Sequence, residues 1–302
     1  MANLRDIRNR ISSIENTQQI TKAMKMVAAA KLRKAQQRML ATRPYANKIQ
    51  SVVGRLVGGS GAAENILLRQ PEVTSRVLMI VIGSDRGLCG AFNNNLFKVV
   101  EEKIRTEYAE FNDQGNLDLI TVGRKADAYF KKRKYSVIGS NIGFFDKLNY
   151  ESTAAIMENA IEWFTEGTYD KVIIAYNEFK SVISQNRKVE EVLPIQPDKL
   201  AAEEEGGESA DSSAQSDYLF EPDTESILRD ILPAHLNMQL WRAVLESNAS
   251  EQGARMAAMD NATENAKDLE RELRLKYNQA RQSAITTEIS EIVSGAAALE
   301  DA

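Results

Sequence analysis

Both ends of this chain read as long amphipathic helices, and everything resembling a sheet lies between them. At the C-terminal end Met259, Ala262, Ala266, Leu269, Leu273, Tyr277, Ala280 and Ala284 step by three and four, which puts them on one helical stripe. Glu270 with Arg274 and Glu272 with Lys276 form i,i+4 pairs in the favourable order on other faces. From Ala234 to Ala298 only Gly253 and Gly295 interrupt good helix formers, so one helix of roughly 90–100 Å is predicted. Such a helix cannot leave its apolar stripe in water and needs a partner.

The N-terminal end supplies one. Leu4, Ile7, Ile11 and Ile14 keep the same spacing. The next positions, Gln18 and Thr21, are polar, and an apolar pattern restarts at Ile20, Met24 and Val27, which predicts a skip in the helical register. Residues 1–57 carry 12 Lys/Arg against 2 Asp/Glu, whereas residues 221–302 carry 8 against 15. Opposite charge and shared heptads together point to an antiparallel coiled coil of the two ends.

Between the ends the texture changes. Gly54, Gly58, Gly59 and Gly61 mark an exit from the first helix, and residues 76–82 form a short apolar run suited to a buried strand. Further strands are expected at Leu117–Val122 and from Asp170 to Ala175, with helices over Ala91–Phe111, Arg124–Lys132 and Glu151–Thr165. Strands alternating with helices predict a Rossmann-like α/β domain with a largely parallel sheet, and Ser181–Ile195 adds an edge strand or a strand leading back to the coil. Ala201–Asp217 has few apolar residues and no positive charge, and is read as a mobile surface loop. Pro222 and Pro233 punctuate the return, with Glu225–Leu232 as a short helical turn before the long helix. The expected organisation is a coil helix over 1–57, an α/β domain over 73–197, an acidic loop and foot over 198–222, and a second coil helix over 223–302.

The search for chemistry yields little. Gly83–Gly90 follows a strand and precedes a helix, where backbone N–H groups can cradle a phosphate. It lacks the GxGxxG spacing, however, and no Gly-Lys-Ser/Thr closes a P-loop. A tight turn that needs glycine is the simpler reading. His235 is the single histidine, placed near the predicted helix start, where a capping or surface role is expected. Glu203, Glu204 and Glu205 lack the geometry of a tight calcium site. No catalytic, cofactor or metal constellation emerges. One cysteine, Cys89, rules out an internal disulfide, and no run approaches the roughly 18 apolar residues that cross a bilayer. The helix pattern starts at the first residues, so no transit segment is expected. Net charge of −5, and basic residues interleaved with aliphatic ones in place of stacking aromatics, argue against nucleic acid.

Several segments resemble the gamma subunit of rotary F-type ATP synthases, bacterial type. They are the run from Asn16 to Lys31 (NTQQITKAMKMVAAAK), Ser84–Gly90 (SDRGLCG), Glu251–Met256 (EQGARM), Tyr277–Gln282 (YNQARQ), Ile285–Glu288 (ITTE), Glu291–Val293 and Ser294–Ala298. The resemblance covers nearly the whole chain. It implies a non-catalytic central shaft that couples proton or sodium translocation to ATP synthesis and hydrolysis. Its partners would be three alpha and three beta subunits, epsilon and the membrane c-ring, with membrane attachment only through partners at the cytoplasmic side of a bacterial inner membrane.

The resemblance also assigns roles residue by residue. Met24 and Lys25 match the segment facing an acidic lever of the beta subunit, with Lys25 where some relatives carry an acid. Arg281, Gln282 and Thr286 match positions that meet the beta catch region. Tyr218, Phe220 and Glu221 match the foot on the c-ring beside epsilon, although the acidic insert before them is longer than the family leads one to expect. Ile289, Ile292, Val293, Ala296, Ala297, Ala298 and Leu299 would form a small, apolar tip turning in an apolar collar. No paired-cysteine redox insert is present. Two other classes stay open on sequence: an α/β enzyme with helical arms, which needs a ligand pocket near Gly83–Gly90, and a coiled-coil scaffold, which would dimerise through its ends.

Overall fold

A computed structural model describes residues 4–57, 65–71, 73–196 and 224–300. The elements in chain order are α1 (Leu4–Val57), β1 (Val77–Ile82), α2 (Phe92–Thr106), α3 (Ala109–Asp113), β2 (Leu117–Val122), α4 (Arg124–Lys132), β3 (Val137–Asn141), α5 (Tyr150–Thr165), β4 (Lys171–Phe179), β5 (Gln185–Leu193) and α6 (Thr224–Glu300). Two compact units result, one from residues up to Ala28 together with Arg255 onward, the other from Ala29 to Ala254.

The first unit is a two-helix coil. Its cross-helix contacts run Arg8 to Tyr277, Glu15 to Arg274, Thr21 to Thr263 and Lys25 to Asp260, so numbers rise on one helix as they fall on the other and the pairing is antiparallel. Among the sheltered positions of α1 in this unit, Leu4, Ile7, Ile11, Ile14, Gln18, Thr21, Lys25 and Ala28 form an unbroken 3-4 alternation, with Glu15 and Met24 half-buried beside it. The register skip expected after Ile14 is therefore absent. Thr21 is 8% exposed, while Ile20 and Val27 are 60% and 57% exposed. A hydroxyl that finds a partner tolerates the seam, and the strict heptad phase then forces the neighbouring aliphatic residues outward. On α6 the expected stripe is sheltered from Met259 to Ala284, apart from Leu269, which turns outward while Glu270 takes the inward position.

α6 is also longer than the sequence led us to expect. It runs 77 residues, about 115 Å, and begins ahead of Pro233, which lies inside it. Proline removes one helical hydrogen bond, but Leu228, Leu232 and Leu236 are all buried on one face of this stretch, and that burial outweighs the lost bond. His235 consequently sits inside the helix and is 4% exposed, neither a cap nor a surface residue.

The second unit is built on a five-stranded sheet of order β3-β2-β1-β4-β5. β1 pairs in parallel with β2 and β4, β2 in parallel with β3, and β5 runs antiparallel along β4. β1 and β2 are buried along their whole length, as befits central parallel strands covered on both faces. Odd residues of β1 (Val77, Met79, Val81) face α2 and α4 through Leu96, Phe97, Val100, Ala126 and Phe130. Even residues (Leu78, Ile80, Ile82) face α5 and the inner turns of α1 and α6, including Ile49, Val53, Leu236 and Leu240. The one charge inside β2, Asp118, accepts hydrogen bonds from Arg76 (2.9 Å), Ser136 (2.5 Å) and Tyr169 (2.7 Å). Burial and this bond raise the Tyr169 pKa.

Two details differ from expectation. The single helix expected over 91–111 is divided at Glu107 and Tyr108 into α2 and α3. β3 had no apolar signature, since its Val-Ile-Gly-Ser-Asn stretch is only half buried and pairs on one side. An edge strand of this kind is defined by backbone pairing more than by burial.

Candidate functional surfaces

The expected beta-facing residues fall in the coil unit. Lys25 occupies a seam position, and its ammonium lies 2.6 Å from Asp260, so its charge is already engaged within the chain. Met24 beside it is half-buried, whereas Met26 is exposed together with Ile20 and Val27. Arg281, Gln282 and Thr286 lie exposed on α6; Thr286 Oγ1 donates to the Gln282 carbonyl at 2.9 Å. Below them the coil is tied by Arg274, which reaches Glu15 at 2.6 Å and Glu270 at 2.8 Å. Arg8 donates to Tyr277 Oη at 2.7 Å and also lies 5.7 Å from its ring centroid.

Beyond Ala284 the character of α6 changes. Every residue from Ile285 to Ala296 is exposed, including Ile289, Ile292, Val293 and Ala296, with Ile292 at 71%. Ala297 and Leu299 continue the helix. Tyr218, Phe220, Glu221 and the acidic run from Ala201 lie outside the described residues.

The glycine-bearing turn at the end of β1 spends its polar side chains on the chain's own backbone and neighbouring side chains. Asp85 accepts the backbone N–H groups of Arg124 (3.0 Å), Gly143 (2.7 Å) and Phe145 (2.9 Å). Asn93 accepts from Ser84 N at 3.0 Å and donates to Ser84 Oγ at 2.7 Å, and Cys89 is buried beside them. The N-terminus of α4, the helix that follows β2, thus holds a carboxylate of the chain itself. Gly83 shows why glycine is needed at the start of this turn, since a Cβ there would come within 2.9 Å of Ala126 Cβ; Gly123, after β2, is needed for its close approach to the turn, since at φ +95° a Cβ would come within 2.8 Å of the Ser84 carbonyl carbon.

A cleft of about 220 Å³ lies elsewhere in this unit, lined by Tyr176, Glu190, His235, Gln239 and Arg242 among others. Tyr176 Oη is 3.2 Å from Glu190, and Lys188 bridges Glu178 (2.8 Å) and Glu190 (3.1 Å). Arg242 and Glu246, one helical turn apart on α6 and 3.7 Å from each other, face this group. Burial pushes the Glu246 carboxyl above the usual range, against the pull of Arg242. Nothing in the sequence advertised this cluster, because its members come from β4, β5 and α6 with no local spacing. Asp85 and the Thr21–Thr263 contact were equally hidden, as each depends on a partner far along the chain.

Residues 3–299 match the profile of a protein family described as ATP synthase. The chain is 48% identical over 300 residues to the ATP synthase gamma chain of Prosthecochloris aestuarii, covering 99% of each protein. It is 49% identical over 300 residues to that of Chlorobaculum parvum, covering 99% of this chain and 100% of the relative. Among solved structures it resembles a chain of the Tetrahymena thermophila mitochondrial ATP synthase central stalk and c-ring, with 27% identity, a TM-score of 0.60, and 80% and 99% of the two chains covered. A chain of the Euglena gracilis mitochondrial ATP synthase rotor shares the fold at a TM-score of 0.63, with 21% identity and 93% and 98% coverage. The chain belongs to the ATP synthase gamma-chain family.

Proposed function

We propose that this chain is the central shaft of an F-type ATP synthase, carrying torque between a membrane c-ring and a head of three alpha and three beta subunits. It catalyses no bond chemistry. The observation that carries this reading is the α6 extension beyond Ala284, a helix whose isoleucines and valine face solvent within the chain. Ile285, Ile289, Ile292, Val293 and Ala296 share one face of this helix, and such a face requires an apolar collar, which makes no hydrogen bonds to it and leaves it free to turn.

The coil below the extension has two helices, so it cannot match the threefold repeat of the head. At any angle it touches the three beta subunits differently, and each contact set favours one state of a catalytic site by differential binding energy. Met24, Arg281, Gln282 and Thr286 are assigned to beta contacts. Lys25 is assigned a supporting role there, since Asp260 already engages its charge. Tyr218, Phe220 and Glu221 are assigned to the c-ring and epsilon, and Ile289, Ile292, Val293, Ala296, Ala297 and Leu299 to the bearing.

No helix among the described residues is long and apolar enough to cross a membrane. We place the chain at the cytoplasmic face of a bacterial inner membrane, held there by its partners. Affinity capture from native membranes followed by subunit stoichiometry tests the assignment. Three alpha and three beta copies per copy of this chain, with epsilon and the c-ring, support it. Recovery of the chain alone or as a homodimer contradicts it.

A further inference from the structure

The seam of the coil changes chemistry midway. Between the aliphatic positions up to Ile14 and the alanine at 28, the inward positions hold Gln18, Thr21 and, at the solvent-exposed rim of the seam, Lys25. Thr21 Oγ1 meets Thr263 Oγ1 at 2.7 Å, and one turn further Lys25 meets Asp260 at 2.6 Å. Two hydroxyl hydrogens are available for this contact and for the backbone. Thr263 lies 2.7 Å from the Met259 carbonyl, Thr21 3.1 Å from that of Gln18. The shorter contact assigns the Thr263 hydrogen to Met259, which leaves Thr21 as the donor across the seam.

The packing around this layer is smooth. Ala262, Ala266 and the unbranched Met259 stand on the α6 side and Ala28 on the other, and methyl-sized knobs and a flexible thioether interlock weakly compared with leucine or isoleucine. Twisting a two-stranded coil about its own axis slides one helix along the other. Alanine layers oppose that sliding poorly, whereas a 2.7 Å hydrogen bond in a sheltered site is broken by a displacement of about an ångström. A polar pair inside a coil also costs stability relative to aliphatic packing, and its best-attested return is fixed alignment.

We propose that Thr21 and Thr263, backed by Lys25 and Asp260, form a shear lock that fixes the axial alignment of α1 against α6 in the coil. The lock is a property of the coil whether or not the coil rotates, so its failure leaves the shaft assignment standing. That assignment is tested separately, by subunit stoichiometry.

The experiment uses the full chain with spin labels on cysteines replacing Ser12 and Ser283, two exposed positions offset along the coil so that axial sliding changes their separation. Cys89 is buried and stays in place. Pulsed dipolar distances are compared for the parent, the isosteric pair Thr21→Val with Thr263→Val, and the hydroxyl-retaining pair Thr21→Ser with Thr263→Ser. We expect the valine pair to widen the distance distribution at least twofold while the serine pair keeps the parent width. An unchanged width in the valine pair overturns the lock. So does equal widening in the serine pair, because methyl packing and not the hydrogen bond would then set the alignment. If the paired valines prevent folding, Thr263→Val alone, set against Thr263→Ser, carries the same comparison.

Discussion

The carboxylate of Asp85 lies 3.0 Å from the backbone nitrogen of Arg124, the first residue of α4, and also accepts the N–H groups of Gly143 and Phe145. One side chain thereby ties the loops that follow β1, β2 and β3. Removing it leaves three partly buried donors without their acceptor. We expect Asp85→Ala to cost about 2–4 kcal/mol of unfolding free energy in urea titration, with acetate restoring part of the loss. A change below about 0.5 kcal/mol would show that water replaces the carboxylate freely.

The buried carboxyl of Glu246 sets a pH dependence. Its folded-state pKa is raised by burial, so the folded chain binds more protons than the unfolded one as pH rises above the ordinary carboxyl range. Stability from this group is fully present below its unfolded pKa and is lost as pH rises through the raised value. Glu246→Gln removes that loss. The melting-temperature difference, variant minus parent, should therefore grow with pH across this window. A constant difference would place Glu246 in solvent contact.

Ile292 is 71% exposed among the described residues. Ile292→Asp should change the stability of the isolated chain by less than about 0.5 kcal/mol, yet in the assembled complex it would put a charge into the proposed collar and slow ATP-driven turnover. Equal effects on both would mean that the tip folds back on its own chain.

Met24 is half-buried one position from the Lys25–Asp260 pair. Met24→Lys would set a second ammonium beside Lys25 at a proposed beta contact. We expect ATP hydrolysis to persist while protons pumped per ATP fall. Unchanged pumping per ATP would remove Met24 from the contact.

Much of the architecture was legible because burial leaves a periodic signature. β2 and α4 were bounded correctly at Leu117–Val122 and Arg124–Lys132, where apolar runs and turn glycines coincide. The terminal coil was visible for the same reason. After Ile14 the apolar pattern departs from the observed phase, because Ile20 and Val27 look like seam residues and only the partner Thr263 explains why Thr21 displaces them. Pro233 does not break α6, because the local penalty legible in sequence is offset by leucines buried against distant elements, which sequence does not show. β3 and the Tyr176–Arg242 cluster carry no local pattern at all. The assigned contact residues of the shaft came from family resemblance; sequence spacing alone treats Arg281 or Thr286 as any exposed helix residue.

Rotation itself is the most direct test of the shaft assignment. The hairpin between β4 and β5 ends in Ile183, which is highly exposed, and with Cys89 buried a cysteine replacing Ile183 gives one accessible thiol for a bead. With the head fixed through its beta subunits, ATP should drive the bead in one direction, with one dwell for each catalytic subunit per turn. A bead that stays still while the same complexes hydrolyse ATP would contradict the account.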